Sequence, residues 1–171
     1  MTQYFLSFVL AGLLAFSGLF TSPAWAVSTS PAALPGLQGL FAGSPPEVIG
    51  LQDGQLAPCP DSPNCVVSQG ADLDHEIAPI AYAGDRETAR EALLKVLSVV
   101  PNTTVVEQRD DYIRTESASK LMGFVDDAEF YLPAEENLIQ VRSAARLGES
   151  DLGVNRRRLE QIRLALADLG I

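Results

Sequence analysis

The stretch FVDDAEFYLPAEENLIQVRSAARL, residues 124–147, alternates apolar and polar side chains on both sides of a short polar segment. Alternation at every second residue is typical of a strand that has one buried face. We therefore predict an antiparallel hairpin in which Phe124–Leu132 pairs with Leu138–Leu147 across a turn at Ala134–Asn137.

The apolar side chains also predict the register of this hairpin. Pairing Pro133 with Leu138 gathers almost all of them on one face, whereas a slip by one residue would scatter them. That face carries Phe124, Asp126, Ala128, Phe130, Leu132, Ile139, Val141, Ser143, Ala145 and Leu147. The opposite face carries Asp127, Glu129, Tyr131, Arg142 and Arg146. Glu129 is then predicted to lie directly across from Arg142, where opposite charges attract.

Further strands and two helices are predicted around the hairpin. In chain order the elements are a strand at Glu76–Tyr82, a helix between Asp85 and Pro101, strands at Thr103–Gln108 and Tyr112–Ser119, the hairpin, and a helix at about Gly153–Asp168. Asp85 is the predicted N-cap of the first helix, and Ser150 or Asp151 caps the second. We therefore predict a two-layer α+β fold, a mainly antiparallel sheet of about five strands with two helices packed on one face.

Residues 1–26 are predicted to be a signal peptide. The apolar run from Tyr4 to Phe20 is short for a membrane span, and the A-x-A sequence Ala24-Trp25-Ala26 follows it. No Lys or Arg precedes the run, so an uncleaved N-terminal anchor is the alternative. Residues 27–54, rich in Pro and Gly, are predicted to be an arm or linker, and residues 55–171 a single domain with no stable membrane anchor after cleavage.

The two cysteines, Cys59 and Cys65, are predicted to form a disulfide, because closely spaced cysteines in an exported chain usually pair. Zinc is the alternative, but a zinc site needs about four ligands. The chain offers two thiols and a single histidine, His75, which lies in an acidic stretch that we predict to be exposed. We therefore predict neither a metal site nor a cofactor.

The chain is acidic, with 22 Asp and Glu residues against 12 Lys and Arg residues and a net charge of −10. All of these charges follow residue 26 and so belong to the predicted mature protein. A negative field repels phosphate backbones and anionic lipids. Nucleic acid is therefore excluded as an expected partner.

Asp126 is the first candidate site residue. It lies on the apolar face of the hairpin, which the last helix has to cover, and the helical spacing places Asn155 in the apolar stripe of that helix and Arg158 at its edge. Because a lone buried carboxylate is costly, Asp126 is predicted to pair with Arg158 or Asn155. A structural ion pair is the favoured interpretation, and a polar pocket is the alternative.

The opposite face carries the other candidates. Arg142 and Arg146 are spaced to grip a carboxylate or phosphate with bidentate hydrogen bonds, and a solvated charge ladder with Asp127 and Glu129 is the favoured alternative. Ser143 is a candidate ligand contact that has no histidine near it in the sequence.

The carboxylates Asp126, Asp127 and Glu129 could also act as acid–base groups or as oxygen ligands for a divalent cation. Adjacent strand residues face opposite ways, so at most Asp127 and Glu129 share a site.

Three parts of the chain resemble the motifs of the domain-of-unknown-function family 1499. They are Leu56-Ala57-Pro58-Cys59-Pro60 with Ser62-Pro63-Asn64-Cys65-Val66, then Phe124-Val125-Asp126-Asp127-Ala128-Glu129-Phe130, and finally Val141-Arg142-Ser143-Ala144-Ala145-Arg146-Leu147-Gly148 with Ser150-Asp151-Leu152-Gly153-Val154-Asn155-Arg156 and Arg158. The chain departs from these motifs at Ala145, where a serine is expected, and at Glu149, where an aromatic residue is usual. The resemblance implies no particular reaction.

The arm from Ser44-Pro45-Pro46 to Leu51 resembles that of cyanobacterial and plastid members. This resemblance implies export to the periplasm or the thylakoid lumen.

Taken together, these features predict an exported binding or accessory domain without catalysis, which recognises a small anionic ligand or a membrane-protein partner. One alternative is a metal-assisted hydrolase that uses Asp126, Asp127 and Glu129. Another is that the motifs are purely structural and that an exposed apolar patch carries the activity.

Overall fold

The computed structural model describes residues 39–171. Its elements are β1 (Cys65–Val67), β2 (Ile80–Ala81), α1 (Arg86–Leu97), β3 (Thr103–Gln108), β4 (Tyr112–Ala118), β5 (Val125–Tyr131), β6 (Leu138–Ala145) and α2 (Val154–Asp168). The predicted signal peptide and the first part of the predicted arm lie outside the described residues. Between residues 39 and 171, no helix is both long and apolar enough to cross a membrane.

The strands form one antiparallel sheet in the order β1-β6-β5-β4-β3, and the short β2 pairs with the start of β6. The predicted α+β fold is confirmed, with β1 as an additional strand. Three residues are too few for an alternating pattern to be recognised, so the sequence does not predict β1. The strand predicted at Glu76–Tyr82 shortens to Ile80–Ala81, because Pro79 has no amide hydrogen to donate to a ladder.

The predicted register of the central hairpin is confirmed. Glu129 lies opposite Arg142, Phe130 opposite Val141, and Asp126 opposite Ala145. Both helices pack on the face that carries the apolar side chains. The main buried cluster combines Ala89, Leu93, Val96, Leu97, Leu159, Ile162 and Leu166 of the helices with Val66, Ile80, Ile113, Ala128, Phe130, Ile139 and Val141 of the strands.

Asp85 is confirmed as the N-cap of α1, but the predicted cap of α2 at Ser150 or Asp151 is wrong, because its N-cap is Gly153. The Asp85 carboxylate accepts a hydrogen bond from the Thr88 amide at 2.9 Å. Asp151 accepts from the amides of Gly153 at 2.8 Å and Asn155 at 2.7 Å, which leaves α2 to start at Val154. An acidic side chain at this position satisfies free amides and complements the helix dipole.

The described part of the predicted arm covers the other face of the sheet. Leu51 and Leu56 pack there in a second apolar cluster with Val67 and Tyr112. The amide of Gly50 donates a 2.7 Å hydrogen bond to the buried carboxylate of Glu129. Gly50 has a φ of +91°, a conformation that other residues adopt only with strain, so glycine allows the arm to present its amide here.

The predicted disulfide is present between Cys59 and Cys65, whose Cα atoms are 5.6 Å apart. The prediction that His75 is exposed is wrong, because its ring is buried. The Nδ1 atom of His75 lies 2.8 Å from the Asp72 carboxylate, and Nε2 lies 3.2 Å from the carbonyl oxygen of Ser62, within the disulfide loop. Both ring nitrogens therefore meet acceptors, and the hydrogen bond with Asp72 raises the pKa of His75.

We predict a pH-dependent contribution of His75 to stability. Because its pKa is raised from the ordinary value of 6.5, the contribution is fully present below that value and is lost as the pH rises through the raised pKa. Urea unfolding of wild type and His75→Gln should therefore show a difference in free energy that shrinks as the pH is raised above about 6.5. A difference that grows with pH would contradict this assignment.

We also predict that α2 is held by its buried face. Leu159→Ala should lower the free energy of unfolding by about 2–5 kcal/mol, since Leu159 is fully buried. Leu164→Ala on the exposed side of the same helix is the matched control and should change it by less than about 0.5 kcal/mol. Denaturant unfolding followed by circular dichroism measures both, and equal losses would contradict this packing.

Candidate functional site

A pocket of about 270 Å³ lies at one end of the sheet, where β5 begins, β6 ends and α2 begins. We call it the end pocket. It is lined by Ser119, Phe124, Asp126, Ala145, Leu147, Gly148, Ser150, Asp151, Leu152 and Val154. Most of these residues belong to the loops that flank the strands, and the sequence predicts a pocket at Asp126 only as the alternative to a structural ion pair.

Asp126 is the predicted site residue that lines this pocket. Its side chain lies on the helix-facing side of β5, and the residue is only 8% exposed. The Nη2 atom of Arg158 donates a 2.7 Å hydrogen bond to Oδ2 of Asp126, which confirms the predicted pairing. Burial nevertheless raises the pKa of Asp126, and the neighbouring Arg158 opposes this shift only in part.

Ser143 and Asn155 lie behind Asp126, in the contact between the sheet and α2. Asn155 is fully buried, and its Oδ1 accepts hydrogen bonds from the Ser143 hydroxyl and from Nη1 of Arg158. Its Nδ2 donates to the carbonyl oxygen of Asn64 at 3.3 Å. Asn64 is not among the residues that the sequence singles out, yet its side chain donates to the carbonyl of Gly148 at the edge of the pocket. These bonds tie the cysteine motif to the start of α2.

The remaining polar groups of the pocket are engaged by the local backbone. The Ser119 hydroxyl accepts from the amide of Phe124, and the Ser150 hydroxyl accepts from that of Leu152. Both oxygens of Asp151 are bonded to amides at the start of α2. In contrast, no described residue donates a hydrogen bond to Oδ1 of Asp126, the oxygen that Arg158 leaves free.

The charged residues of the opposite face form a second, buried cluster. The predicted solvated ladder is wrong, because Asp127 and Glu129 are 0% exposed beneath the arm. Glu129 accepts hydrogen bonds from Arg142 at 3.0 Å, from the Tyr112 hydroxyl at 2.8 Å and from the amide of Gly50. Burial and the charge of Glu129 raise the pKa of Tyr112, so its hydroxyl keeps the proton that it donates.

Asp127 is held by two guanidinium groups. Arg146 binds both of its oxygens, at 2.7 and 3.0 Å, and Arg114 donates to Oδ1 at 3.0 Å. The hydrogen bond with Asp127 raises the pKa of Arg146 further. Glu116 also pairs with Arg146 and Arg114, and Glu107 lies 3.7 Å from Arg114 and 3.2 Å from Arg109. The cluster therefore balances four carboxylates against four arginines.

Because these charges are already paired, Arg142 and Arg146 have few free hydrogen-bond donors for an incoming anion. The Nε atom of Arg142 has no hydrogen-bond partner, but it is buried beyond the reach of a ligand. The three candidate carboxylates also do not converge, since Asp126 faces α2 whereas Asp127 and Glu129 face the arm. Among residues 39–171 no group of three His, Cys, Asp or Glu side chains is arranged to hold a metal ion.

We predict that the buried cluster is a structural requirement. Glu129→Gln leaves the charge of buried Arg142 uncompensated and should lower the free energy of unfolding by about 3–5 kcal/mol. The control Glu160→Gln makes the same change in a partly exposed ion pair with Arg163, outside the cluster, and should cost less than about 1 kcal/mol. If urea unfolding gives similar values for both variants, the cluster does not hold this face together.

The chain is similar to one family of known proteins over most of its length. A family model described as a protein of unknown function (DUF1499) matches residues 55–166. That range contains both cysteines, the whole sheet and nearly all of α2. No curated protein and no solved structure matches the chain significantly. On the extent of the family match, the chain belongs to the DUF1499 family.

Proposed function

We propose that this chain is a small-molecule-binding domain without catalytic activity and that the end pocket is its ligand site. The observation that supports this most is Asp126, a nearly buried carboxylate that lines an apolar pocket with one oxygen unbonded. A ligand that donates a hydrogen bond to this oxygen would be fixed in orientation beside the apolar walls of the pocket.

The size and walls of the pocket support a small ligand. Phe124, Leu147, Leu152 and Val154 supply apolar walls around the single free oxygen. Apolar lining with a few placed polar groups is the usual composition of a ligand site. An apolar cavity of about 150 Å³ holds benzene, so 270 Å³ suits a molecule of about ten non-hydrogen atoms.

The local hydrogen bonds favour binding over catalysis. Neither serine of the pocket is hydrogen-bonded to a base, because both hydroxyl groups accept from backbone amides. A nucleophilic serine needs a base within hydrogen-bonding distance. The metal-assisted hydrolase has less support, because Asp127 and Glu129 are bonded to arginines on the face away from Asp126.

A protein partner, including a membrane protein, is the second candidate. Three large apolar side chains of the pocket lining are exposed, Leu152 at 83%, Leu147 at 42% and Val154 at 38%. Exposed apolar side chains that lie together are common at interaction sites. In this case the apolar patch, rather than the pocket, would carry the activity.

Export is part of the proposal. The disulfide between Cys59 and Cys65 supports an oxidising compartment, because cytosolic thiols are kept reduced. The resemblance of the arm to cyanobacterial and plastid members supports the periplasm or the thylakoid lumen as that compartment.

The test is a fragment screen against the isotope-labelled protein. Fragments of about ten non-hydrogen atoms should shift the amide resonances of Asp126, Gly148 and Ser150, and these shifts should disappear in Ala145→Leu, which fills the pocket. Ala118→Leu makes the same change on the exposed end of β4 and should keep the shifts. Fragments that bind elsewhere, or that bind equally well to Ala145→Leu, would refute the pocket as the ligand site.

A further inference from the structure

We propose that the end of the domain around the end pocket binds a lipid surface, and that this surface is a bilayer of neutral or zwitterionic lipids. The inference goes beyond the proposed function, because it concerns the exposed apolar side chains around the pocket and needs no ligand inside it. The observation that carries it furthest is Leu152, an exposed leucine in a strained backbone conformation.

Leu152 is 83% exposed and has a φ of +54°. The left-handed region is unfavourable for leucine, and at this exposure the side chain recovers little of that cost by packing within the domain. The backbone is held in this conformation from both sides. The Ser150 hydroxyl accepts from the amide of Leu152 at 3.2 Å, and Arg157 donates to its carbonyl oxygen at 2.8 Å. Strained residues cluster at binding sites, so we infer that Leu152 is presented to a partner outside the domain.

Three loops and the arm converge around Leu152. The β4–β5 loop begins at Ser119 and ends at Phe124, and both residues line the end pocket together with Leu152. Phe41 of the arm packs against Phe124 with their ring centroids 5.3 Å apart. Val154 lines both the end pocket and a neighbouring groove, which includes Val100 of the turn between α1 and β3. These segments therefore form one continuous surface.

This surface exposes large apolar side chains from every one of these segments. The β4–β5 loop is tight, since the amide of Gly123 donates to the carbonyl oxygen of Ser119 at 3.1 Å, so the residues at its tip stay close to the pocket. A monomeric domain rarely exposes many apolar side chains together unless they meet a protein or a membrane. We call this surface the apolar end, and its exposed side chains are Leu40, Val99, Leu121, Met122, Leu147, Leu152 and Val154.

The opposite end of the sheet is acidic. It is formed by the β3–β4 and β5–β6 turns, which lie together because Tyr112 pairs with Tyr131. These turns expose Asp110, Glu135 and Glu136 to solvent. One apolar end and one charged end would orient the domain on a membrane, with the charges directed into water. The net charge of −10 repels anionic lipids, so the surface that fits is neutral or zwitterionic.

The composition of the apolar end favours lipid over a protein partner. Its exposed side chains are leucines, valines and one methionine. The residues that dominate protein interfaces are mostly Trp, Tyr and Arg, and Leu and Val are under-represented among them. Lys120 is exposed beside Leu121 in the β4–β5 loop. A lysine in this position can extend its ammonium group to a lipid phosphate while its aliphatic stem lies among apolar groups.

The experiment is flotation with lipid vesicles in a density gradient at low ionic strength. It uses residues 27–171, the predicted mature chain, because the apolar run in residues 1–26 would bind lipid by itself. We expect the protein to float with phosphatidylcholine vesicles. Replacing about a third of that lipid with phosphatidylglycerol should weaken binding, because the net charge of the protein repels an anionic surface.

The variant Leu152→Asn tests the strained leucine. Asparagine adopts the left-handed conformation more readily than leucine, so the variant should be at least as resistant to urea as wild type. It also removes an apolar side chain, so its affinity for phosphatidylcholine vesicles should fall about tenfold. The matched control is Leu164→Asn, which changes a leucine that is 65% exposed on α2 outside the apolar end and should leave vesicle binding unchanged. Unimpaired folding with impaired binding separates a surface contact from a structural role.

Each other outcome overturns the inference. Absence of flotation with phosphatidylcholine, or equal flotation of wild type and Leu152→Asn, refutes the lipid surface. Stronger binding to the vesicles that contain phosphatidylglycerol refutes a neutral one. If the wild type does not float but self-associates in sedimentation velocity, and Leu152→Asn does not, the apolar end is instead a contact between copies of the chain. Flotation involves no fragment and the fragment screen involves no lipid, so failure of either proposal leaves the other standing.

Discussion

A buried carboxylate needs hydrogen-bond donors, and each face of β5 carries such a carboxylate. Asp126 and Asp127 are neighbours in the chain, so their side chains point to opposite sides of the sheet. Each is buried, and each is bonded to arginine, Asp126 to Arg158 of α2 and Asp127 to Arg146, which directly follows β6. An unpaired charge at either position would cost several kcal/mol. The central strand therefore fixes what has to lie on each side of it.

The sheet is therefore covered on both faces. On one face α2 supplies Arg158 and Asn155, and the main apolar cluster surrounds them. On the other face the arm supplies the amide of Gly50 to Glu129 and closes a smaller apolar cluster over the arginines. The residues that resemble the family's motifs in this way mostly hold the layers together. Charges that look suited to a ligand in the sequence are neutralised by one another in the structure.

At the end pocket, only one oxygen of the Asp126 carboxylate is bonded to an arginine. Asp126 is shared between the structural network and the pocket, because Arg158 takes one oxygen and leaves the other. A single residue therefore connects the docking of α2 to the proposed ligand. Ligand binding at Asp126 and the stability of the α2 contact should consequently be linked, since anything that binds the folded form stabilises it.

By itself the sequence determined the α+β order, the register of the central hairpin, the N-cap of α1 and the pairing of Asp126 with Arg158. Each of these depends on local periodicity, or on one face that must be buried, and both can be read along the chain. Only the tertiary structure decided that Asp127, Glu129 and Arg142 are buried, that His75 is bonded to the disulfide loop, and that a pocket remains beside Asp126. The physical reason is that burial of a strand's second face depends on a distant segment, here the irregular arm around Gly50, whose position no periodicity encodes.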